Sequence, residues 1–558
     1  MVCDDGGRLS SKCFHQADML KLPCLDAQGL LEGDSISMAL PPKRQAGRRD
    51  RADGNASPNP AGRPTVRLPF RPVGTPVRYP APSSPPQAAP TAPATAPPGR
   101  RLQHLAQVAF INPNFAWLWW GQAISSVGDY AWDTALVLWV ATFLVAGQSW
   151  APLAVSGLVL AATLPQVVVG PLAGVFVDRW DKRRTMVSMA ALQAIVAVLL
   201  VLPAASFSLP LIGRVQLPLS WRLGVVYTDV VLLAIFAQFF IPAQFALIKD
   251  IVPQKRQDQA LETFQAIQGL AVIIGPPVAA VLVFGLGVVW ALVLNSLSFV
   301  VVFLATLAIQ APPSAHSVAP GEAGHFSREF LDGVGYVAGH VVLRTILVAE
   351  VLTWLGFGAL QSLGYFFVTG NLHAPASDYG LLGADFGVGA VVGAVLVTSL
   401  GQRIGLARIL WIALVTSGLF VIVMSHLTSL YPALVAAFLF GVSTTAVIVT
   451  AGPLTLDSTS REFVGRVTAV INPLGRLAAL VSVALAGSLV STVLRGFHAR
   501  VLGIAFGPVD TVFTGLGLLA VIGGIYARVS LRSMIGRPMP SSGEPSPGLT
   551  GAEGGTQQ

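Results

Sequence analysis

Residues 170–184 read GPLAGVFVDRWDKRR, a run of small and apolar residues that ends in an acid and a cluster of bases. The run closes one apolar segment, residues 151–177, and another apolar segment, residues 186–206, follows directly. Small residues such as Gly170 and Gly174 let helices approach closely in lipid, and bases collect in short loops on one side of a membrane. The stretch therefore predicts a tight turn between two membrane-spanning helices.

The rest of the chain has the same apolar character. Its 558 residues are 53% hydrophobic and 11% charged, and the mean hydropathy of +0.67 is too high for a water-exposed surface. A hydrocarbon core about 30 Å thick requires roughly 20 mostly apolar residues per helical crossing. Suitable segments are residues 115–146, 151–177, 186–206, 225–247, 259–284, 287–309, 342–368, 378–400, 405–425, 430–452, 465–491 and 509–528. The sequence predicts an all-α integral membrane protein with about twelve transmembrane helices.

Basic residues in the short connections lie mostly on one side of these helices. That side carries Arg179, Lys182, Arg183, Arg184, Lys249, Lys255, Arg256, Arg403, Arg408, Arg461 and Arg466. The other side carries only Arg214, Arg222, Arg495 and Arg500. Because cytoplasmic loops are enriched in Lys and Arg, we expect a multi-pass protein of the cell membrane with both termini in the cytoplasm.

The chain divides into two helical halves and three more polar segments. The predicted segments are a disordered Pro-rich cytoplasmic tail (1–105), a six-helix bundle (106–309), a cytoplasmic linker with an amphipathic helix (310–341), a second six-helix bundle (342–530) and a disordered cytoplasmic tail (531–558). A basic turn follows the second helix of each half, at residues 178–184 and 401–408. Internal duplication is the simplest explanation, and it predicts two pseudo-symmetric bundles.

The first tail holds most of the net charge and all of the cysteines. Residues 1–105 contain 14 Lys and Arg against 8 Asp and Glu, which supplies +6 of the formal +8. These bases are scattered without interleaved aromatic rings, which favours lipid headgroups over nucleic acid. Cys3, Cys13 and Cys24 leave no thiol for a metal site or disulfide in the membrane body. A zinc site that includes Cys13 and His15 is the alternative to an unstructured tail; we predict neither a metal nor an organic cofactor.

The opening stretch resembles the signature loop of the major facilitator superfamily of membrane transporters. Residues 239–253 (FFIPAQFALIKDIVP), Gly275-Pro276 and residues 464–467 (VGRV) are similar to the drug and siderophore exporter branch, which includes macrolide and enterobactin exporters. The resemblance extends over residues 112–527 and implies the two-bundle fold. The loop departs from the family pattern at Asp181, which stands where a second glycine is usual.

The resemblance also implies a conformational latch among the basic loops. Asp178 is expected near the start of the eleventh span, where backbone N–H groups around Gly465 attract an anion, and the latch must break when this side opens. Its residues are Gly174, Asp178, Arg179, Lys182, Arg183, Arg184, Gly465 and Arg466. A topology signal alone is the alternative interpretation of the basic cluster. Gly275, Pro276 and Pro277 of the fifth span are predicted sites of helix bending and close packing.

Two polar stripes mark a candidate transport path. Gln122, Ser126, Asp129 and Asp133 of the first span are spaced by four, three and four residues, so they share one helix face. Ionisable groups inside a bilayer are functional candidates, and two carboxylates one turn apart suit proton uptake and release. The alternatives are a structural hydrogen bond from Asp129 to a neighbouring helix and an interfacial position for Asp133.

The seventh span repeats the spacing with Glu350, Trp354, Phe357 and Gln361. A carboxylate beside aromatic rings could receive a cationic amphipathic substrate, although ordinary packing of the two rings is the alternative. Four further polar residues complete the candidate set. Arg476 is expected to be buried and paired with Glu350, Asp385 or Asp129, and a position close to the inner interface is the alternative. Asn472 lies one turn before it, Asp385 belongs to the cavity or to the outer headgroups, and His426 is peripheral.

The sequence predicts proton-coupled efflux of a small amphipathic compound, drug-like or siderophore-like, by alternating access of a monomer. No Walker sequence is present, so a gradient of protons or another ion is the remaining energy source. Its expected partners are the small-molecule substrate, the coupling ion and the lipid bilayer, with no nucleic acid. An uptake carrier or lipid translocator of the same fold is one alternative, and a membrane enzyme or a non-transporting sensor is another. We expect no enzyme, since no nucleophile or metal cluster accompanies the carboxylates.

Overall fold

The computed structural model describes residues 111–201, 208–209, 213–214, 218–310, 326–501 and 503–532. The predicted disorder of residues 1–105, the three cysteines and nearly all of the tail 531–558 lie outside the described residues. The described helices are α1 (Pro113–Trp139), α2 (Ala151–Val168), α3 (Gly170–Arg179), α4 (Lys182–Leu199), α5 (Leu219–Ile251), α6 (Gln257–Val281), α7 (Val288–Ala308), α8 (Phe326–Gly339), α9 (Val341–Phe366), α10 (Asp378–Ile404), α11 (Leu406–Ser425), α12 (Leu430–Asp457), α13 (Val464–Ser491) and α14 (Pro508–Ser530).

Two short antiparallel hairpins complete the described elements. Strands β1 (Ser208–Leu209) and β2 (Gly213–Arg214) lie between α4 and α5, and β3 (Ala499–Val501) and β4 (Ile504–Phe506) lie between α13 and α14. In the second hairpin Arg500 is paired with Ala505. We call this side of the bundles the hairpin end, and the side with the α3–α4 turn the basic end.

The all-α membrane fold with two six-helix bundles is confirmed. Helices α1 to α7 form one bundle, α9 to α14 form the other, and α8 packs on α9 and α13. Ten of the described helices are long and apolar enough to cross a membrane; α1, which carries Asp129 and Asp133, and α4, which begins with three bases, are not among them. With α1 and α4 packed among the others, the arrangement is consistent with twelve crossings.

The predicted span 151–177 is two helices. Helix α2 ends at Val168 and α3 begins at Gly170, with Val169 between them. Pro171 has no backbone N–H to donate to the preceding turn, which accounts for the interruption. Helix α3 packs chiefly on α5.

Asp181, the departure from the family pattern, has a structural role. Its side chain accepts a hydrogen bond of 2.7 Å from the backbone N–H of Arg184, and its extended backbone makes it the N-cap of α4. An aspartate at this position satisfies one of the free N–H groups of the first helical turn. The α3–α4 turn is therefore closed by a cap where the family usually has glycine.

The two bundles meet along two helix pairs, α6 with α10 and α2 with α13. A Cβ added to Gly380 of α10 would lie 2.5 Å from the carbonyl oxygen of Pro276, and a Cβ at Gly487 of α13 would collide with Ser156 of α2. Both glycines permit backbone contact between the bundles. Gly275 likewise packs on Tyr130 of α1, so the predicted packing segment of α6 contacts both bundles. Helix α6 stays helical through Pro277.

Candidate functional site

A cavity of about 390 Å³ lies between the two bundles. Its lining comes from α1, α2, α5 and α6 on one side and from α9 to α12 on the other. The wall is largely apolar and aromatic. Its polar and aromatic members are Tyr130, Trp132, Asp133, Thr134, Thr163, Gln166, Phe357, Gln361, Tyr379 and Phe386.

The α1 stripe lies partly in this cavity and partly between the cavity and the basic end. Asp133 lines the cavity and its side chain is exposed. Toward the basic end, the Gln122 side-chain amide donates to the Ser126 hydroxyl at 3.1 Å, and the Gln244 side-chain amide of α5 donates to Oε1 of Gln122. Asp129 is half-buried between these groups and the cavity. Within the stripe, the hydrogen bond found among the described residues joins Gln122 and Ser126.

The α9 stripe divides in the same way. Phe357 and Gln361 line the cavity, and the Phe357 ring lies 5.9 Å from the ring of Phe386. One turn toward the basic end, the Trp354 indole N–H donates to the Glu350 carboxylate at 3.0 Å. Trp354 also packs on Gly475 of α13. The Trp354 indole therefore holds the Glu350 carboxylate on the basic-end side of the cavity.

The structure differs from the prediction for Arg476. The side chain is exposed, and it forms no salt bridge with Glu350, Asp385 or Asp129. The reason is helical phase: Gly475, Ala478 and Ala479 form the buried face of α13, whereas Asn472 and Arg476 lie on the exposed face.

Asp385 of α10 is half-buried, and within the described part of the chain its Oδ2 is buried without a hydrogen-bond partner. The cavity wall is formed by its neighbours Gly383 and Phe386 instead. His426, predicted to be peripheral, lies at the hairpin end, where its ring packs on Phe506 at 4.7 Å and its Nε2 is 3.1 Å from Thr514 Oγ1.

Side chains at the hairpin end join the two bundles directly. The hydroxyls of Thr142 and Tyr365 lie 2.9 Å apart, and the backbone N–H of Leu153 donates to the Ser491 hydroxyl at 3.0 Å. Together with the glycine contacts, these bonds close the cavity at this end.

The latch residues at the basic end are apart in this structure. A Cβ added to Gly174 or Gly465 would meet no atom within 4 Å, and among the described residues Asp178 forms no salt bridge or hydrogen bond with α13. Asp178, Arg179 and Arg184 are exposed, as part of the α3–α4 turn that also holds Lys182. The latch itself stays a prediction.

Two latch bases have other partners. Arg183 donates to the carbonyl oxygens of Thr306 and Leu307 at 3.3 and 2.6 Å, which caps the end of α7. Arg466 lies 3.9 Å from Asp332 of α8 and 5.1 Å from the ring centre of Phe463. The linker helix therefore contacts the first turn of α13 through a long, exposed ion pair.

Several wall residues were missed by the sequence reasoning. Tyr130, Gln166 and Tyr379 of the cavity wall lie outside the two stripes. Gln244, in the stretch 239–253, is outside the wall and donates to the side-chain oxygen of Gln122. Polarity in an apolar span was a usable signal for Gln166 and Gln244. Within the described residues no group of three or more His, Cys, Asp or Glu side chains is placed to hold a metal ion.

Two bundles of membrane helices around a shared central cavity define a membrane transporter. A family model described as transmembrane secretion effector, within the major facilitator superfamily, matches residues 106–520, and the chain belongs to this family. The resemblance inferred from the signature loop is thereby confirmed.

Individual relatives are distant. The chain is 19% identical over 432 residues to the uncharacterized MFS-type transporter YkuC of Bacillus subtilis, a match that covers 76% of this chain and 93% of that protein. It is 22% identical over 288 residues to macrolide efflux protein A of Streptococcus pyogenes, covering 52% and 67%.

Solved structures share the fold at low sequence identity. The nucleoside transporter NupG aligns with a TM-score of 0.57 at 11% identity, over 75% of this chain and 99% of that one. The POT family transporter PepTSo aligns with a TM-score of 0.56 at 12% identity, over 75% and 98%.

Proposed function

We propose that this transporter exports a small cationic amphipathic compound in exchange for protons. The observation that carries the proposal is the central cavity, in which the Asp133 carboxylate stands in an aromatic and apolar wall. A cation is attracted both to a carboxylate and to the faces of aromatic rings such as Phe357 and Tyr379. The volume of about 390 Å³ suits a drug-sized ligand.

Proton coupling follows from competition for the same carboxylate. A charge inside the bilayer is costly unless it is neutralised, so Asp133 is stable either with a proton or with the substrate cation beside it. Asp129, one turn away, offers a second carboxyl that can hold the proton during the exchange. Substrate release and proton uptake are then linked at one face of α1.

The direction rests on which end is open. Contacts between the bundles close the hairpin end, whereas Gly174 and Gly465 at the basic end are free of close neighbours. If the bases mark the cytoplasmic side, this state accepts substrate from the cytoplasm or the inner leaflet. The similarity to a protein named for macrolide efflux also supports export.

The test is gradient-driven movement of ethidium in proteoliposomes of defined orientation. We expect a pH gradient to move ethidium out through the hairpin end, and Asp133→Asn to abolish this movement while the protein stays folded. Asp258→Asn, which changes an exposed carboxylate at the basic end, is the matched control and should move ethidium normally.

Each contrary result excludes a part of the proposal. Unchanged proton-coupled movement by Asp133→Asn removes this residue from coupling. Movement only in the opposite direction identifies an uptake carrier, and scrambling of a labelled lipid without ethidium movement identifies a lipid translocator. A panel of cationic, neutral and anionic compounds then tests the preference for cations.

A further inference from the structure

A second cavity between the bundles, of about 550 Å³, lies at the hairpin end, and we call it the vestibule. One bundle lines it with residues 141–142 and with the turn that leads into α2. The other lines it with the end of α9, with Val490 of α13 and with the turn that follows α13. The vestibule shares no lining residue with the central cavity.

The vestibule continues the path from the central cavity toward the hairpin end. Tyr365 of the vestibule wall directly follows Gly364 of the central wall. Thr142 follows Asp133 by nine residues, which is roughly 14 Å along a helix axis. The hydrogen bond between Thr142 and Tyr365 joins the bundles at this level. A solute that leaves the central cavity through the hairpin end therefore passes this contact and enters the vestibule.

The two cavities carry charged groups of opposite sign. Among the described residues, Asp133 is the one charged member of the central wall, and Arg495 is the one charged member of the vestibule wall. Arg495 is exposed, and within the described part of the chain it forms no salt bridge. A guanidinium keeps its charge throughout the physiological pH range, so loss of a proton does not neutralise the vestibule.

The acids of this end lie outside the vestibule wall. Asp510 is 8% exposed, and its carboxylate accepts hydrogen bonds from the Asn371 amide and the backbone N–H of Gly507. Asp378 is half-buried at the start of α10. Arg500 of β3 is a second exposed base outside the wall. An ion in the vestibule therefore meets a positive group and no carboxylate of the described wall.

We propose that Arg495 is a specificity-determining residue of the export path, whose fixed charge repels cations from the vestibule and opposes the return of the exported cation. This inference rests on the cation export proposed above. When the hairpin end opens, a cation that enters from that end passes the guanidinium before it reaches Asp133. A unit charge about 6 Å away lowers the concentration of a monovalent cation roughly threefold in water, and less in salt.

The first test measures the local potential by cysteine labelling and requires no transport. With the three native cysteines replaced, Ser149→Cys places one exposed thiol in the vestibule wall. Its labelling rates are measured with methanethiosulfonates that carry a sulfonate or a trimethylammonium group. We expect Arg495→Gln to lower the anion-to-cation rate ratio roughly threefold at about 0.15 M salt, with little effect at about 1 M. Arg495→Lys keeps the charge and should keep the native ratio. Arg500→Gln is the matched control, and it should change the ratio less than Arg495→Gln.

The second test measures ethidium entry at each face of oriented proteoliposomes. Arg495→Gln should lower the KM for entry at the hairpin end roughly twofold, because the cation is no longer repelled there. The KM for entry at the basic end should be unchanged, since the central cavity keeps Asp133.

The outcomes separate this inference from the export proposal. An unchanged labelling ratio in Arg495→Gln, or an equal fall in Arg500→Gln, overturns the role of Arg495 whatever the transport result. A changed ratio with an unchanged KM at the hairpin end also overturns it, since the charge then does not act on the returning cation. If the native protein moves no ethidium in either direction, the export proposal is rejected, and the labelling ratio alone decides whether Arg495 repels cations.

Discussion

The two ends of the bundles are built differently. At the hairpin end, Gly380 and Gly487 bring backbones of opposite bundles together, and two hydrogen bonds cross the interface. At the basic end, Gly174 and Gly465 have open space where a side chain would begin, and the ionic contact of Arg466 is with the linker helix. Close backbone contacts and hydrogen bonds join the bundles at one end, and exposed charges occupy the other.

This difference bears on how the two ends open. A contact between two packed backbones is either formed or broken, because a displaced glycine contact cannot be replaced by a slightly longer contact. Exposed charges exchange partners at small cost, since water screens them in every arrangement. We therefore expect substitutions at the hairpin end to shift the conformational equilibrium more than substitutions at the basic end.

The equilibrium can be measured by spin-label distances at both ends. The three native cysteines lie at positions 3, 13 and 24 and can be replaced. Exposed label positions are Leu286 with Tyr431 for the hairpin end and Gln254 with Leu456 for the basic end. The four predictions below use these two pairs, in order of decreasing effect.

The largest effect is expected from Gly380→Leu. A Cβ here would lie 2.5 Å from the Pro276 carbonyl oxygen, so the side chain cannot fit while α6 and α10 are in contact. Overpacking of about 1–3 kcal/mol shifts the two states by roughly 5- to 150-fold toward an open hairpin end. The Leu286–Tyr431 distance should lengthen.

Gly269→Ala is the control, because its Cβ would meet Val391 at an ordinary 3.5 Å on the same helix pair. An unchanged distance distribution in Gly380→Leu would mean that the α6–α10 contact does not hold the end closed.

Tyr365→Phe should have the next largest effect. The change removes the hydrogen bond to Thr142 between the bundles but keeps the ring, which packs on Phe366 and Tyr379. A neutral hydrogen bond contributes about 0.5–1.5 kcal/mol, so the closed state should lose roughly two- to tenfold in population. Thr142→Val should give the same shift without adding to Tyr365→Phe; additive shifts would show that the two hydroxyls act separately.

The sequence predicted the helices, their grouping and part of the cavity wall. Regular spacing was decisive for Asp133, Phe357 and Gln361, since three- and four-residue steps fix one face of a helix. The same spacing does not say which face is buried: Arg476, expected to be buried and paired, is exposed and forms no salt bridge with the three candidate carboxylates among the described residues. Patterning within one helix carries no information about the helix packed against it.

Contacts between helices that are distant in the chain could not be predicted from the sequence, for the same reason. Gly380, Gly383 and Gly387 are the glycines of α10 that α6 approaches, and nothing in the sequence separates them from the other glycines of that helix. The break at Val169 was missed because the apolar run continues across it.

A smaller effect is expected from Asp178→Asn at the basic end. If Asp178 docks at the start of α13 in the other state, its loss removes an anion from a helix N-terminus, which contributes about 0.3–1 kcal/mol. The state in which the latch residues are apart should gain roughly two- to fivefold, and the Gln254–Leu456 distance distribution should shift toward its longer component. Asp181→Asn is the control, since asparagine also serves as an N-cap. Identical distributions for Asp178→Asn and the native protein would reject the latch.

The smallest effect is expected from Asp332→Asn. The direction in which the Gln254–Leu456 distance changes is the informative result. Arg466 is 38% exposed and Asp332 52% exposed, so the pair contributes little, and the shift should be below about threefold. The change frees Arg466 from α8 while Tyr336 keeps its stack on Phe463 at 4.4 Å and holds the linker helix in place. If Arg466 alternates between Asp332 and Asp178, its release should shorten the Gln254–Leu456 distance, opposite to the effect of Asp178→Asn. Because the two carboxylates would compete for one guanidinium, the double variant should lose that shortening. A lengthened distance in Asp332→Asn would instead show that the linker helix helps to close the basic end.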